Sequence, residues 1–184
     1  KALQIIQFTN NSLFLTGKAG TGKSTFLRYI AATTKKKHII LAPTGIAAIN
    51  AGGSTLHSFF KLPFYPLVPN DKRYSTRNLR STMKYNSDKC KLLREVELII
   101  IDEISMVRSD LLDAIDAVLR RFRNPLQPFG GVQLLMIGDL QQLTPVVTDE
   151  DAMLLNRYYA TPYFFDSHAL AKVSYVTIEL KKVY

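Results

Sequence analysis

The chain has 184 residues, 47% of them hydrophobic and 21% charged, with a mean hydropathy near zero. That is enough for one domain with a sizeable core, it excludes a disordered chain, and no apolar run approaches the roughly 18 residues of a membrane span. The net charge of +9 favours a polyanionic partner, nucleic acid before an anionic membrane surface.

The single cysteine, Cys90, excludes an intramolecular disulfide and a multi-cysteine zinc site. It suits a reducing, intracellular compartment, cytoplasm or nucleoid in a bacterium. The opening KALQIIQFTNN has neither a long apolar stretch nor a small-residue cleavage site, so no signal peptide is expected. It begins at Lys1 rather than Met, and a cut within a longer protein is the expectation.

Short apolar runs then alternate with helical periods, which predicts an α/β domain with a parallel sheet. Residues 13–15 (LFL) read as a buried strand and 23–32 as a helix ending in the polar run 33–37. Residues 38–42 (HIILA) are the next strand, and 44–51 an Ala-rich helix stopped by Gly52 and Gly53. Residues 61–87 break the alternation with Pro63, Pro66 and Pro69 and are expected to be a surface insertion. The basic stretch extends to residue 94. It holds Lys61, Lys72, Arg73, Arg77, Arg80, Lys84, Lys89, Lys91 and Arg94 against Asp71 and Asp88, which is +7 of the net +9. Residues 97–101 (ELIII) predict a strand buried on both faces. Leu111, Leu112, Ile115, Val118 and Leu119 form a helical stripe over 109–121, with Ser109 as N-cap. Residues 132–137 (VQLLMI) and 173–180 complete five strands in a single domain over residues 1–184, with 61–94 as a basic insertion.

The sequence GKAGTGKS at residues 17–24 fits the phosphate-binding loop G-x-x-x-x-G-K-S/T, between a strand and a helix. Gly17, Gly20 and Gly22 let the backbone turn tightly and aim N–H groups at phosphate oxygens, and the helix N-terminus adds partial positive charge. Lys23 is expected to neutralise the β and γ phosphates and Ser24 to ligate Mg²⁺. The nucleotide-binding set is thus Gly17, Ala19, Gly20, Thr21, Gly22, Lys23, Ser24 and Thr25.

IIIDEIS at residues 99–105 puts two carboxylates directly after a buried strand, where they are costly unless used. Asp102 is expected to hold Mg²⁺ through water, and Glu103 to polarise the attacking water. The guanine-reading N-K-x-D motif of a switch GTPase is absent. GDLQQLTPV at residues 138–146 follows another buried strand, and Gln141 or Gln142 there is either a loop amide or a γ-phosphate sensor. APTGIAAINAGGSTLHSFF at residues 42–60 places Thr44, Ser54, Thr55, His57, Phe59 and Phe60 beyond a strand end. Hydroxyls suit phosphates and aromatic rings suit stacked bases. A lone histidine is also an ordinary structural hydrogen-bonder, and adjacent aromatics commonly leave one ring in the core.

These four stretches, in this order, resemble the superfamily 1B DNA helicases of the Pif-one type, relatives of the RecD-like helicases. GKAGTGKST resembles their motif I, APTGIAAIN motif Ia, GGSTLHSFF the next DNA-contact motif, IIIDEISMV motif II and FGGVQLLMIGDLQQLTPV motif III. The resemblance runs from about Leu13 to Tyr184. It implies a P-loop NTPase fold, the first RecA-like motor domain, with ATP and Mg²⁺ as cofactors. It implies single-stranded DNA and DNA junctions as partners, with no membrane, and 5′-to-3′ translocation in replication, repair or recombination. Lys23 and Ser24 then take phosphate and Mg²⁺, Asp102 Mg²⁺, Glu103 the role of base and Gln142 that of γ-phosphate sensor. Thr44, Thr55, His57 and Phe59 take single-stranded DNA.

The family's adenine-reading Gln is expected upstream of Lys1, and its motif IV arginine one residue past Tyr184, with a second motor domain beyond. The 184 residues are therefore expected to fold as half a nucleotide site, binding ADP or sulfate weakly and showing no DNA-stimulated hydrolysis. Two rivals are an AAA+ or helicase-loader-type ATPase, marked by oligomer-dependent turnover without unwinding, and a nucleotide-gated single-strand-binding module without turnover. On the leading reading, Phe59→Ala weakens DNA binding at every salt concentration through lost stacking. Arg77→Ala or Arg80→Ala should instead flatten the salt dependence, by about 0.7 in log–log slope for each phosphate no longer neutralised. A salt titration of single-strand affinity distinguishes them.

Overall fold

The computed structural model describes residues 1–72, 78 and 84–184. Arg73, Arg77 and Arg80 of the basic stretch, and the salt-dependence expectation attached to the last two, lie outside the described residues.

Helix α1 (Ala2–Phe8) leads into β1 (Ser12–Gly17), which turns through the glycine-rich loop into α2 (Lys23–Thr33). Strand β2 (His38–Ala42), helix α3 (Gly45–Ala51), strand β3 (Ser54–Thr55) and helix α4 (Leu56–Phe60) follow. After the insertion come α5 (Ser87–Glu95), β4 (Leu98–Ile101), a 3-10 turn (Ile104–Met106) and α6 (Ser109–Phe122). The chain closes with β5 (Gln133–Gly138), α7 (Asp149–Leu155) and β6 (Tyr175–Leu180). Among the described residues no helix is long and apolar enough to cross a membrane.

The strands form one all-parallel sheet in the order β3-β2-β4-β5-β1-β6. Among the described residues six strands stand where five are expected from sequence. The additional one, Ser54–Thr55, is two residues long and too short to carry an apolar pattern. The pleat sorts the apolar strand residues by period two. Leu13, Leu15, Leu98, Ile100, Leu135 and Ile137 pack with α1 and α2 on one face. Phe14, Leu41, Ile99, Ile101, Leu134 and Met136 pack with α4, α5 and α6 on the other. With both faces covered, β4 and β5 are buried along their whole length, as a parallel sheet between helical layers requires.

Helix α6 presents the expected stripe, with Leu111, Leu112, Ala114, Ile115, Val118 and Leu119 all buried. Ser109 is not its N-cap: Arg108 occupies that position, and no side chain caps the helix. Ser109 instead donates its backbone N–H to Pro162 O (2.9 Å) and its hydroxyl to Thr161 O (3.3 Å), tying the helix start to the later loop.

One turn further on, Asp113 anchors the segment that precedes β6. Its carboxylate accepts from Tyr159 Oη (2.6 Å), Ser167 Oγ (2.5 Å) and the backbone N–H groups of His168 (3.2 Å) and Ala169 (2.9 Å). Burial, followed by this bond to Asp113, pushes the Tyr159 phenol pKa far up. Hydrogen bonds to a charged group are worth about 1.5–3 kcal/mol each, and removing a shared acceptor strands its donors. Asp113→Ala should therefore lower unfolding stability by about 3 kcal/mol, measured by urea denaturation.

Candidate nucleotide and nucleic-acid sites

The register sets the carboxyl ends of the strands nearly level. Thr16 faces Gly138 and Gly17 faces Leu180, while Ile101 faces both Leu41 and Met136. Strand β5 lies between β1 and β4, so the connection from β1 to β2 passes two strands and opens a crevice at the switch point. Three loops empty into it: residues 17–24 from β1, Asp102 and Glu103 from β4, and residues 139–142 from β5.

A cleft of about 870 Å³ results. Ala19, Gly20, Thr21, Gly22, Lys23, Ser24 and Thr25 form one wall, Glu103 and Gln142 another, and Phe26, Tyr29, Leu180 and Tyr184 the remainder. Residues about 80 and 120 positions from the loop in sequence thus share its cavity. Gln142 lines the cleft and Gln141 does not. The turn carrying them is closed by Asp139, whose Oδ1 accepts from Gln141 N (2.9 Å) and whose carbonyl accepts from Gln142 N (3.2 Å).

Gly17 lies behind the wall rather than in it. A Cβ there would sit 2.7 Å from both Leu180 O and Thr21 Oγ1, so β1 and β6 close over the loop only because the residue is glycine. Gly22 caps α2 at φ 95°, which leaves the first N–H groups of the helix facing the cleft. Thr21 is buried, and its hydroxyl turns inward to Lys18 O (2.7 Å), so it serves the cleft through its backbone. Lys23 Nζ donates to Gly17 O and to Lys18 O (3.0 Å), which parks the ammonium on the loop it belongs to. Tyr184 N donates to Gly20 O (3.0 Å), laying the last residues of the chain against the same loop.

Asp102 and Ser24 meet in an adjoining cleft of about 190 Å³, shared with Leu27, Arg28, Asn50 and Ala51. Asp102 continues the sheet by donating its N–H to Leu41 O (2.9 Å), and its Oδ1 accepts from Glu103 N (2.9 Å). Burial raises its pKa, opposed by that backbone donor and by Lys23. Glu103 is held in the left-handed region at φ 52°, which a non-glycine residue adopts at a cost. Burial also raises its pKa, the charges of Asp102 and Asp139 add to this, and Lys23 opposes. Both groups fit a metal-assisted hydrolytic site: a buried carboxylate beside a hydroxyl, and a second carboxylate made more basic by its surroundings. Among the described residues no cluster of three or more His, Cys, Asp or Glu could hold a metal by itself, so phosphate and water oxygens would have to complete the shell.

The second face lies along the same sheet edge, beyond β2 and β3. Pairing of Ala42 with Thr55 brings Thr55 to the end of β2, two residues before Thr44. Each is a helix N-cap: Thr44 Oγ1 accepts from Ala47 N (3.2 Å) and Thr55 Oγ1 from Ser58 N (3.1 Å). A capping hydroxyl spends a lone pair and keeps its proton, so both can still donate to a phosphate. His57 stacks on Phe64, ring centroids 4.4 Å apart and 17° from parallel. Burial depresses the His57 pKa, Arg108 adds to the shift and Asp110 opposes it.

Phe59 does not belong to this face. It is only 8% exposed, packs edge-on against Phe60, and carries Lys89 Nζ 3.5 Å from its ring centroid. The helical period of α4 sends it into the core together with Leu56 and Phe60. The accessible ring is Phe64, 79% exposed, in a loop whose neighbours Leu62, Pro66 and Leu67 are buried. Arg108 fixes that loop. Its guanidinium donates to Phe64 O (3.3 Å) and Tyr65 O (3.4 Å) and forks onto the fully buried Asp110 with two bonds of 2.9 Å, while Asp110 Oδ2 accepts from Leu67 N (2.8 Å). Sequence reading overlooked Phe64 because it sits in a proline-rich stretch with no period. It overlooked Tyr29 and Tyr184 because nothing in their spacing ties them to the loop.

A separate cavity of about 450 Å³ between residues 67–72 and α6 shares no residue with either face. Asp71, Asp110 and Asp113 line it, and the bonds described above already engage the last two.

Strand, glycine-rich loop and helix, with an Asp-Glu pair and a Gln brought in from neighbouring strand ends, define a P-loop nucleotide-binding domain of the RecA-like kind. The family model described as PIF1-like helicase matches residues 2–183, and the chain belongs to that family. It is 38% identical over 179 residues to the ATP-dependent DNA helicase PIF1 of Candida albicans, covering 94% of this chain and 19% of that protein. To the human ATP-dependent DNA helicase PIF1 it is 36% identical over 180 residues, covering 94% of this chain and 25% of that protein. The structure is similar to a Bacteroides Pif1 helicase solved in complex with ADP-AlF3 and single-stranded DNA. There the TM-score is 0.91 and the identity 45%, over 100% of this chain and 41% of that one. The chain thus spans about a fifth to a quarter of these curated relatives.

The two phenylalanines should separate cleanly in stability. Phe59→Ala empties a core position and should cost about 3–5 kcal/mol, whereas Phe64→Ala should stay within about 0.5 kcal/mol of wild type. Chemical denaturation of the two variants checks the assignment.

Proposed function

We propose that this chain is the ATP-hydrolysing motor domain of a DNA helicase that moves along single-stranded DNA. One observation carries the reading: residues 19–25, Glu103 and Gln142 line one cleft, on the same sheet edge as Thr44, Thr55 and His57. The similarity to a Pif1 helicase bound to ADP-AlF3 and single-stranded DNA supports it.

The nucleotide is gripped first by its phosphates. The backbone of residues 19–22 and the start of α2 present N–H donors, and Lys23 exchanges the Gly17 and Lys18 carbonyls for phosphate oxygens. Phe26, Tyr29 and Tyr184 give the cleft an aromatic side suited to a base. Ser24 and Asp102 fit a magnesium ion, which when bound neutralises charge between the terminal phosphates. Glu103 accepts the proton of the attacking water, helped by the surroundings that raise its affinity for protons. Gln142 donates its amide to the γ-phosphate and so reports whether that phosphate is present.

Across the sheet edge, Thr44 and Thr55 hold the DNA backbone, and the His57–Phe64 stack offers a platform for a base. The family resemblance supports 5′-to-3′ movement, DNA junctions as substrates and a partner second motor domain that closes the cleft with an arginine.

In the full-length protein, Glu103→Gln should leave ATP binding nearly intact and cut kcat by about 10²-fold or more, as for loss of a general base. Lys23→Ala should weaken nucleotide binding itself. Phe64→Ala should weaken single-strand affinity at every salt concentration, by the roughly 1–3 kcal/mol of one stacked base. Wild-type turnover in Glu103→Gln would remove the base assignment. DNA affinity that responds to ATP without any hydrolysis would favour a nucleotide-gated binding module instead.

A further inference from the structure

The turn that carries Glu103 contains a hydroxyl with no use in the resting fold. Ser105 is 1% exposed, and its Oγ has no hydrogen-bond partner among the described residues. It belongs to the 3-10 turn at Ile104–Met106, closed by Met106 N to Glu103 O (3.0 Å) and Val107 N to Ile104 O (3.0 Å). A buried hydroxyl left unpaired is destabilising, and an apolar replacement of similar shape is normally neutral or better. Such a group is worth explaining by what it does in another state.

Its surroundings name the partner. The turn presses on the end of β5: a Cβ at Gly138 would lie 3.0 Å from Ile104 Cγ2 and 3.2 Å from both Ile104 N and Ser105 N. The next residue along is Asp139, also buried, whose carboxylate takes, among the described residues, one hydrogen bond, at Oδ1 from Gln141 N. Asp139 thus follows directly on the glycine against which the Ser105 backbone packs, retains acceptor capacity at Oδ2, and begins the turn that delivers Gln142 to the cleft.

We propose that Ser105 is a positioning residue that couples the two loops. When Gln142 engages the γ-phosphate, the turn at residues 139–142 tightens and Ser105 Oγ donates to Asp139 Oδ2. That bond adds a side-chain link between the two loops and fixes the Glu103 turn in the geometry in which the carboxylate meets water. Ser105 touches neither nucleotide nor metal. The inference rests on the proposed ATP hydrolysis and assigns how γ-phosphate sensing reaches the base.

The test uses the full-length protein with Ser105→Ala, Ser105→Cys, Asp139→Asn and the Ser105→Ala/Asp139→Asn double variant. Cysteine preserves the volume with a much weaker donor. Steady-state ATP hydrolysis and the melting temperature without nucleotide are measured. In both Ser105 variants kcat is expected to fall about tenfold, the worth of one hydrogen bond to a charged acceptor, with KM within about twofold. The nucleotide-free melting temperature should hold or rise. The double variant should be little slower than the slower single, because both remove the same bond. An unchanged kcat in Ser105→Ala overturns the proposal, as do effects at the two positions that simply multiply. A lowered melting temperature also overturns it, since the hydroxyl would then already be bonded in the resting fold. A wild-type protein without ATP turnover removes the hydrolytic reading itself, and this proposal with it.

Discussion

Parallel strands deliver all their carboxyl ends to one edge of a sheet, and the rest of this molecule depends on that constraint. Because β1, β4 and β5 end level, three loops far apart in sequence meet without any long excursion of the chain. Both faces of the sheet are sealed by apolar side chains sorted by the pleat. The polar groups beyond the strand ends therefore stand at the boundary between a dry interior and an open cleft. That boundary is why Asp102 and Glu103 both hold their protons more tightly than free carboxylates.

Strand order divides the labour along the edge. Placing β5 between β1 and β4 puts the Gln142 turn between the phosphate loop and the acidic pair. Adding β2 and β3 on the far side of β4 extends the same edge to Thr44 and Thr55. The phosphate-loop cleft and the Thr44–Thr55 face are thus successive stretches of one rim.

Much of this was legible in the sequence, because each motif followed an apolar run that could only be a buried strand. GKAGTGKS, the DEIS turn and the GDLQQ turn were placed by that context, and the helical stripe of Leu111 to Leu119 lies where its period put it. What stayed hidden depends on how distant segments meet. Ser109 has the chemistry of an N-cap, yet its hydroxyl is claimed by Thr161 O. Phe59 has the chemistry of a stacking ring, yet α4 turns it into the core. Gln141 and Gln142 are indistinguishable as letters, and only the closure of their turn by Asp139 aims one of them at the cleft. Tyr184 is laid against the phosphate loop by its backbone bond to Gly20, a contact that no spacing announces.

The backbone of the loop that displays Phe64 is held directly: Arg108 takes the carbonyl oxygens of Phe64 and Tyr65, and Asp110 takes the N–H of Leu67. Arg108 and Asp110 therefore act as a mount that grips main-chain atoms only, and those bonds do not depend on which side chain stands at position 64. A ring at position 64 can thus be traded for another side chain with the mount kept, whereas replacing Arg108 by lysine would discard the fork onto Asp110 and release the loop beneath it.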